Sequence, residues 1–285
     1  MLTQIELLKK YGLKIRGHLG QHLLIDPNTI RKIVDALGFR KGDRVFEIGP
    51  GLGAVTREIL ERGFPVLAVE TDKCFVEILN QELKPQYGED FRLVHADVLK
   101  ADLTKIITEW KNAKDPRQVK VIGNLPYYIS TPILFHLIEH AGVFSEAVLM
   151  LQKEVALRLS AKAGEEDYSR LSVTSRLYGT TQFLFDVSPS CFLPPPQVVS
   201  RVVSFAFHPV PLKGNVKNTD FLLEIIRIAF GQRRKTLLSV LAHQLKPKVP
   251  REKLQIIFEK LGFPMKVRGE ELPLEAFLSL AEALE

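Results

Sequence analysis

Short, predominantly apolar runs alternate with stretches of helical periodicity over the first two-thirds of the chain. The runs at 44–48, 66–69, 91–94, 119–123 and 147–151 have the length and composition of strands buried in a parallel sheet. Between them, Ile30, Ile33, Val34 and Leu37 fall at helical spacing. They predict a helix over 29–37, with Asp26 as its N-cap, Pro27 at its first position and Gly38 at its end. Helices are predicted likewise over 54–62, 132–137 and 153–161. Two further runs, 183–187 and 198–207, predict an antiparallel pair that closes the sheet. Pro209 to Gly214 reads as a linker, and from Thr219 strand signals vanish while Phe221, Leu222, Ile225, Ile226 and Ala229 keep a helical period. The expected organisation is therefore an α/β domain over 1–209 and a small all-α domain over 210–285.

Composition narrows the class. Of 285 residues, 46% are hydrophobic and 25% charged, the balance of a globular chain with a sizeable core. No apolar run approaches the roughly 20 residues of a membrane span. Cys74 and Cys191 are too few for a disulfide framework, which points to a reducing cytoplasm. No membrane association and no metal are expected, and a monomer is. The net charge of +6 is unevenly spread: from Arg227 to Lys253 there are eight Lys or Arg against the single acid Glu252, so this window carries +7 and the rest about −1. A basic segment beside a near-neutral body suggests a polyanion partner.

The strand ends carry the candidate chemistry. Gly49 and Gly51 follow the first strand and let a ligand approach the backbone. Glu70 ends the second strand, 21 residues after Gly49, where a carboxylate can accept ribose hydroxyls. Asp97 follows the third and can accept from an adenine amino group. Gly49-x-Gly51-x-x-Ala54 also satisfies the dinucleotide fingerprint. The acids decide between the two: Glu47, Glu70 and Asp97 would repel a diphosphate but attract a sulfonium cation.

After the strand at 119–123 comes Asn124-Leu125-Pro126-Tyr127-Tyr128-Ile129-Ser130. The Asn124 side-chain carbonyl and the Leu125 backbone carbonyl can accept from an exocyclic amine. Pro126 stiffens the turn, and Tyr127 offers a face for a purine. This heptapeptide resembles the catalytic motif of S-adenosylmethionine-dependent amino methyltransferases, most closely that of the ribosomal RNA adenine dimethyltransferases. The resemblance extends in order through GQHLL, EIGPGLG, Glu70, Asp97, LQKEVA, FLPPPQVVS and FGQRRKTL. It implies a Rossmann-like class I methyltransferase sheet of seven mostly parallel strands with a helical C-terminal domain. It also implies a cofactor site of Gln21, His22, Leu24, Gly49, Gly51, Glu70, Asp97, Val98 and Asn124. Asn124, Leu125, Pro126 and Tyr127 would be catalytic, Tyr127 and Phe192 would flank the target base, and Arg233, Arg234 and Lys235 would contact RNA. His22 and Leu23 depart from the family's usual Asn and Phe. The implied substrate is a pair of adjacent adenosines near the 3′ end of 16S ribosomal RNA, within a 30S assembly particle, each methylated twice.

Three other readings compete. His136-Leu137-Ile138-Glu139-His140 matches an inverted zinc-protease signature, but no third ligand follows and the helix must pack on the sheet. A related enzyme class methylates one adenine of 23S ribosomal RNA and confers antibiotic resistance. A ribosome-assembly or RNA-binding protein on the same fold could lack activity, although Asn124, Glu70 and Asp97 are intact.

Overall fold

The computed structural model describes residues 2–15, 21–110, 119–232, 234–246 and 249–285. Helix α1 (Gln4–Lys10) is capped by Thr3 in a reciprocal box with Glu6. A two-residue strand β1 (Leu23–Leu24) precedes α2 (Pro27–Asp35), which starts where the sequence places it. The Asp26 carboxylate accepts from the Thr29 N–H at 2.7 Å, and Pro27 has no N–H to leave unsatisfied. Then come β2 (Arg44–Ile48), α3 (Ala54–Glu61), β3 (Val66–Glu70), α4 (Lys73–Glu82), α5 (Lys84–Tyr87), β4 (Phe91–His95), α6 (Leu103–Trp110) and β5 (Val119–Asn124). They are followed by α7 (Ser130–Glu139), β6 (Glu146–Gln152), α8 (Lys153–Ser160), α9 (Arg170–Tyr178), β7 (Gly179–Val187), β8 (Phe192–Leu193) and β9 (Ser200–Phe207). The chain ends in α10 (Thr219–Gly231), α11 (Leu237–Gln244), α12 (Arg251–Lys260) and α13 (Leu274–Leu284).

Seven strands form one sheet in the order β4-β3-β2-β5-β6-β9-β7. The pairs from β4 to β6 are parallel and β6 pairs antiparallel with β9, as expected for a class I methyltransferase sheet. Burial on both faces explains the apolar runs: every residue of β3 and all but the ends of β5 and β6 are buried. After β2 the chain builds outward through β3 and β4, then returns to start β5 on the other side of β2. That reversal opens a crevice at the carboxyl ends of β2 and β5. A second, two-stranded sheet, not expected from the sequence, pairs Leu24 with Phe192 and Leu23 with Leu193. It anchors the segment before α2 at 192–193.

The chain divides into two compact units, Met1–Ala156 with Thr180–Pro209, and Leu157–Gly179 with Val210–Glu285. This corrects the single boundary at 209/210. Tyr168, Val173 and Leu177 are fully buried in the same apolar core as Leu222, Ile225, Ile226, Phe258 and Phe277, and the Tyr168 hydroxyl donates to the Leu272 carbonyl at 2.8 Å. The segment 157–179 therefore belongs with the helical unit.

Candidate functional site

At the carboxyl edge of the sheet, residues from β2, β3 and β5 and from the loops after them line a cavity of about 370 Å³. Twelve of the sequence-predicted residues meet there: Gln21, His22, Leu24, Gly49, Gly51, Glu70, Asp97, Val98, Asn124, Leu125, Pro126 and Tyr127. Gly49 has φ +66° and open space where a side chain would begin, so its backbone stands directly against the cavity.

Glu70, the last residue of β3, is 6% exposed. Its Oε1 accepts from the N–H groups of Thr71 and Asp72, both at 2.8 Å, and its Oε2 from Gly51 at 3.2 Å. Burial lifts this carboxyl above the ordinary range, against three backbone donors that pull it down. Three of its four acceptor positions are taken, leaving one on Oε2 for a ligand hydroxyl rather than the two anticipated. Asp72, which the sequence reading passed over, also lines the cavity. It caps α4 by accepting from Cys74 and Phe75, and its Oδ2 accepts from Gln21 Nε2 at 3.0 Å. The signal for it was an Asp between a strand end and a helical run, the mark of an N-cap.

Glu47, read as a rim acid, lies deeper than that. It is 3% exposed, its Oε2 accepts from the Thr56 hydroxyl at 2.6 Å, and burial pushes its pKa up to about 7. At neutral pH it carries only part of a charge. Asp97 accepts from the Leu99 N–H at 3.0 Å, and Lys100 approaches its Oδ2 at 3.9 Å with a side chain 85% exposed. Even so, the lining holds Glu47, Glu70, Asp72 and Asp97 and no Lys or Arg among the described residues. Such a lining suits a cation and disfavours a diphosphate.

On the β5 side, Asn124 Nδ2 donates to the His22 carbonyl at 3.0 Å. This commits the amide nitrogen and leaves Oδ1 as an acceptor. The Leu125 N–H donates to Met150 O at 3.1 Å, which ties its peptide to β6, and the Leu125 side chain is buried. Pro126, at φ −57°, leads into a 3₁₀ turn over Tyr127–Ile129. The Tyr127 hydroxyl shares a 2.7 Å hydrogen bond with Ser200 Oγ, and burial raises its pKa. The His22 imidazole stacks near the Tyr127 ring at a centroid distance of 5.6 Å. Its Nδ1 lies 2.7 Å from the Pro194 carbonyl, which can only accept, so Nδ1 carries the proton.

Phe192 does not reach the site. It is 2% exposed in the core beside Leu24, Val187 and Val202 and is absent from the lining. In the helical unit, Arg234 and Lys235 are exposed between α10 and α11, while Arg233 lies outside the described residues. His136 Nε2 lies 2.9 Å from the Ala101 carbonyl and His140 Nδ1 2.8 Å from the Thr104 hydroxyl. No group of three metal-ligating side chains occurs among the described residues.

Comparison with known proteins gives a consistent picture. The family model for ribosomal RNA adenine dimethylase matches residues 12–285. A ribosomal RNA small subunit methyltransferase A from Lachnoclostridium phytofermentans is 38% identical over 282 residues, covering 99% of this chain and 95% of that protein. The protein of the same name from Bacillus pumilus is 38% identical over 281 residues, covering 98% and 94%. Among solved structures, a dimethyladenosine transferase from Plasmodium falciparum superposes with TM-score 0.73 at 28% identity, over 91% of this chain and 96% of that one. The 23S rRNA methyltransferase ErmE, at 24% identity and TM-score 0.64 over 92% and 99%, shares the fold.

Proposed function

This chain belongs to the ribosomal RNA adenine dimethylase family, and on that premise we propose how its cavity dimethylates adenosine in 16S ribosomal RNA. The reaction is S-adenosylmethionine-dependent, and the targets are two adjacent adenosines near the 3′ end of the RNA. The observation that carries the reading is one cavity whose lining, among the described residues, combines four acids and no Lys or Arg with Asn124 and Leu125. The relatives at 38% identity share the small-subunit name, which disfavours a 23S substrate.

The residues present fit the cofactor. Gly49 and Gly51 admit it to the backbone, and Glu70 Oε2 has one position open for a ribose hydroxyl. Asp97, beside Val98, has Oδ2 for the adenine amine, approached among the described residues only by the exposed Lys100 at 3.9 Å, and Gln21, His22 and Leu24 line the same cavity. The bound cofactor supplies an activated methyl on a sulfonium, a cation that the acids attract.

The chain's own work is done on the target amine. An adenine amine is a poor nucleophile because its lone pair is delocalised into the ring. In the first transfer its two N–H groups donate to Asn124 Oδ1 and the Leu125 carbonyl, and in the second the one remaining N–H donates to one of them; either way the contact favours a pyramidal nitrogen and localises the lone pair toward the methyl. Pro126 holds the two acceptors in a rigid turn, and alignment supplies much of the barrier reduction. Tyr127 stacks the base, offsetting part of the few kcal/mol that extrusion costs. The alkylated nitrogen is acidic and releases its proton to water without a strong base.

No helix among the described residues is long and apolar enough to cross a membrane. The enzyme acts as a cytoplasmic monomer on a 30S assembly particle. Arg234 and Lys235, with Arg233, contact its RNA. Labelled methyl groups should pass from S-adenosylmethionine to unmethylated 30S particles and not to protein-free 23S RNA; the reverse preference would overturn the assignment.

A further inference from the structure

The turn after Asn124 carries two tyrosines with opposite settings. Tyr127 faces inward, its hydroxyl on Ser200 and its ring beside the His22 imidazole. Tyr128 faces outward: it is 69% exposed, the most exposed large apolar side chain among the described residues, yet it lines the mouth of the cavity. Successive residues of a 3₁₀ turn point about 120° apart, so Tyr127 and Tyr128 cannot share a side. The turn is held in that setting. The Ile129 N–H donates to Pro126 O at 3.1 Å, and the buried Ser130 hydroxyl donates to Tyr127 O at 3.2 Å.

At 69% exposure the ring stands mostly in water at the lip of a substrate cavity, and packing on the described residues does not account for it. A cavity that admits one unstacked base brings the flanking nucleotides of the same strand to its lip. Extruding that base also strips its neighbour of one stacking partner, and a tyrosine face replaces such a partner, more strongly for a purine's larger π-face than for a pyrimidine's.

Resting on the reading of an RNA adenine substrate given above, we propose that Tyr128 is the stacking platform for the nucleotide next to the adenosine held in the cavity. Because the two targets are adjacent, the base on Tyr128 is the second target while the first is being methylated.

The test compares the parent enzyme with Tyr128→Ala and Tyr128→Phe on unmethylated 30S particles. Tyr128→Ala should raise KM for the particle about tenfold with kcat changed less than twofold, and Tyr128→Phe should restore KM. Cofactor Kd and Tm should stay at parent values in both. On particles carrying uridine in place of the neighbouring adenosine, the gap between Tyr128→Ala and the parent should narrow. An unchanged KM in Tyr128→Ala, a loss confined to kcat, failure of the Phe variant to restore KM, or an equal gap on the uridine particles would overturn the proposal. No methyl transfer by the parent enzyme would instead sink the reading beneath it.

Discussion

The side-chain amide nitrogen of Asn124 and the main-chain carbonyl of His22 are joined by a 3.0 Å hydrogen bond. The partner is backbone, so the anchor survives the change from the family's usual Asn to His at position 22. The bond also sets the amide's orientation, because only Oδ1 then faces the reacting nitrogen. Asn124→Ala should lower kcat by about 10²-fold or more, the scale of a lost transition-state hydrogen bond, while cofactor Kd changes less than about threefold. Calorimetric titration and single-turnover assays separate the two, and equal losses in both would contradict the role.

Glu47 makes folding stability depend on pH. Its unfolded carboxyl titrates near 4.5 and its folded one near 7, so the folded state binds the extra proton between those values. Its contribution is fully present below about pH 4.5 and is lost as the pH rises through 7, by at most about 3 kcal/mol. Glu47→Gln should flatten that slope and exceed the parent's stability above pH 7. Denaturant melts from pH 5 to 8 would show this, and parallel curves for the two proteins would contradict it.

What the sequence made legible was whatever depends on neighbours along the chain. β2 was readable to the residue, and β3 and β5 to within one, because strands buried on both faces are predominantly apolar. α4, α5 and α6 went unassigned, and so did β1 and β8, since a two-residue strand has no period. Phe192 carried a family motif but not its burial in the core, where it pairs with Leu24, 168 residues earlier. The segment 157–179 shows no compositional break. Only its burial with Leu222 and Phe277 assigns it to the helical unit.

Lys120 is a buried cation in β5 that no local pattern distinguishes. It donates to the carbonyls of Leu37 and Gly38 and lies 3.3 Å from Asp43 Oδ2 and 3.5 Å from Glu146 Oε2. Lys120→Ala should cost about 3–5 kcal/mol, because it leaves the buried Asp43 carboxylate with the Arg40 N–H but no cation among the described residues. Lys120→Met with Asp43→Asn should recover part of that. Urea titrations check it, and a loss below about 1 kcal/mol would show the network to be dispensable.

In the helical unit, Arg234, Lys235, Lys246, Arg251 and Lys253 are exposed. If about four phosphates are neutralised, log affinity for RNA should fall with log salt at a slope near −3. Arg234→Ala with Lys235→Ala should make that slope shallower by about 1.4 and leave cofactor Kd unchanged. A flat response in the parent would leave the segment as solubilising charge.

Amide oxygens at the end of β5 and just after it should grip an adenine amine against an acid-walled cofactor. Nucleoside mass analysis of 16S RNA, after the enzyme and S-adenosylmethionine have acted on unmethylated 30S particles, tests it most directly. The parent should leave N6,N6-dimethyladenosine at two adjacent positions, and Asn124→Ala almost none. Unmodified adenosine after reaction with the parent, or dimethyladenosine undiminished in the variant, would contradict it.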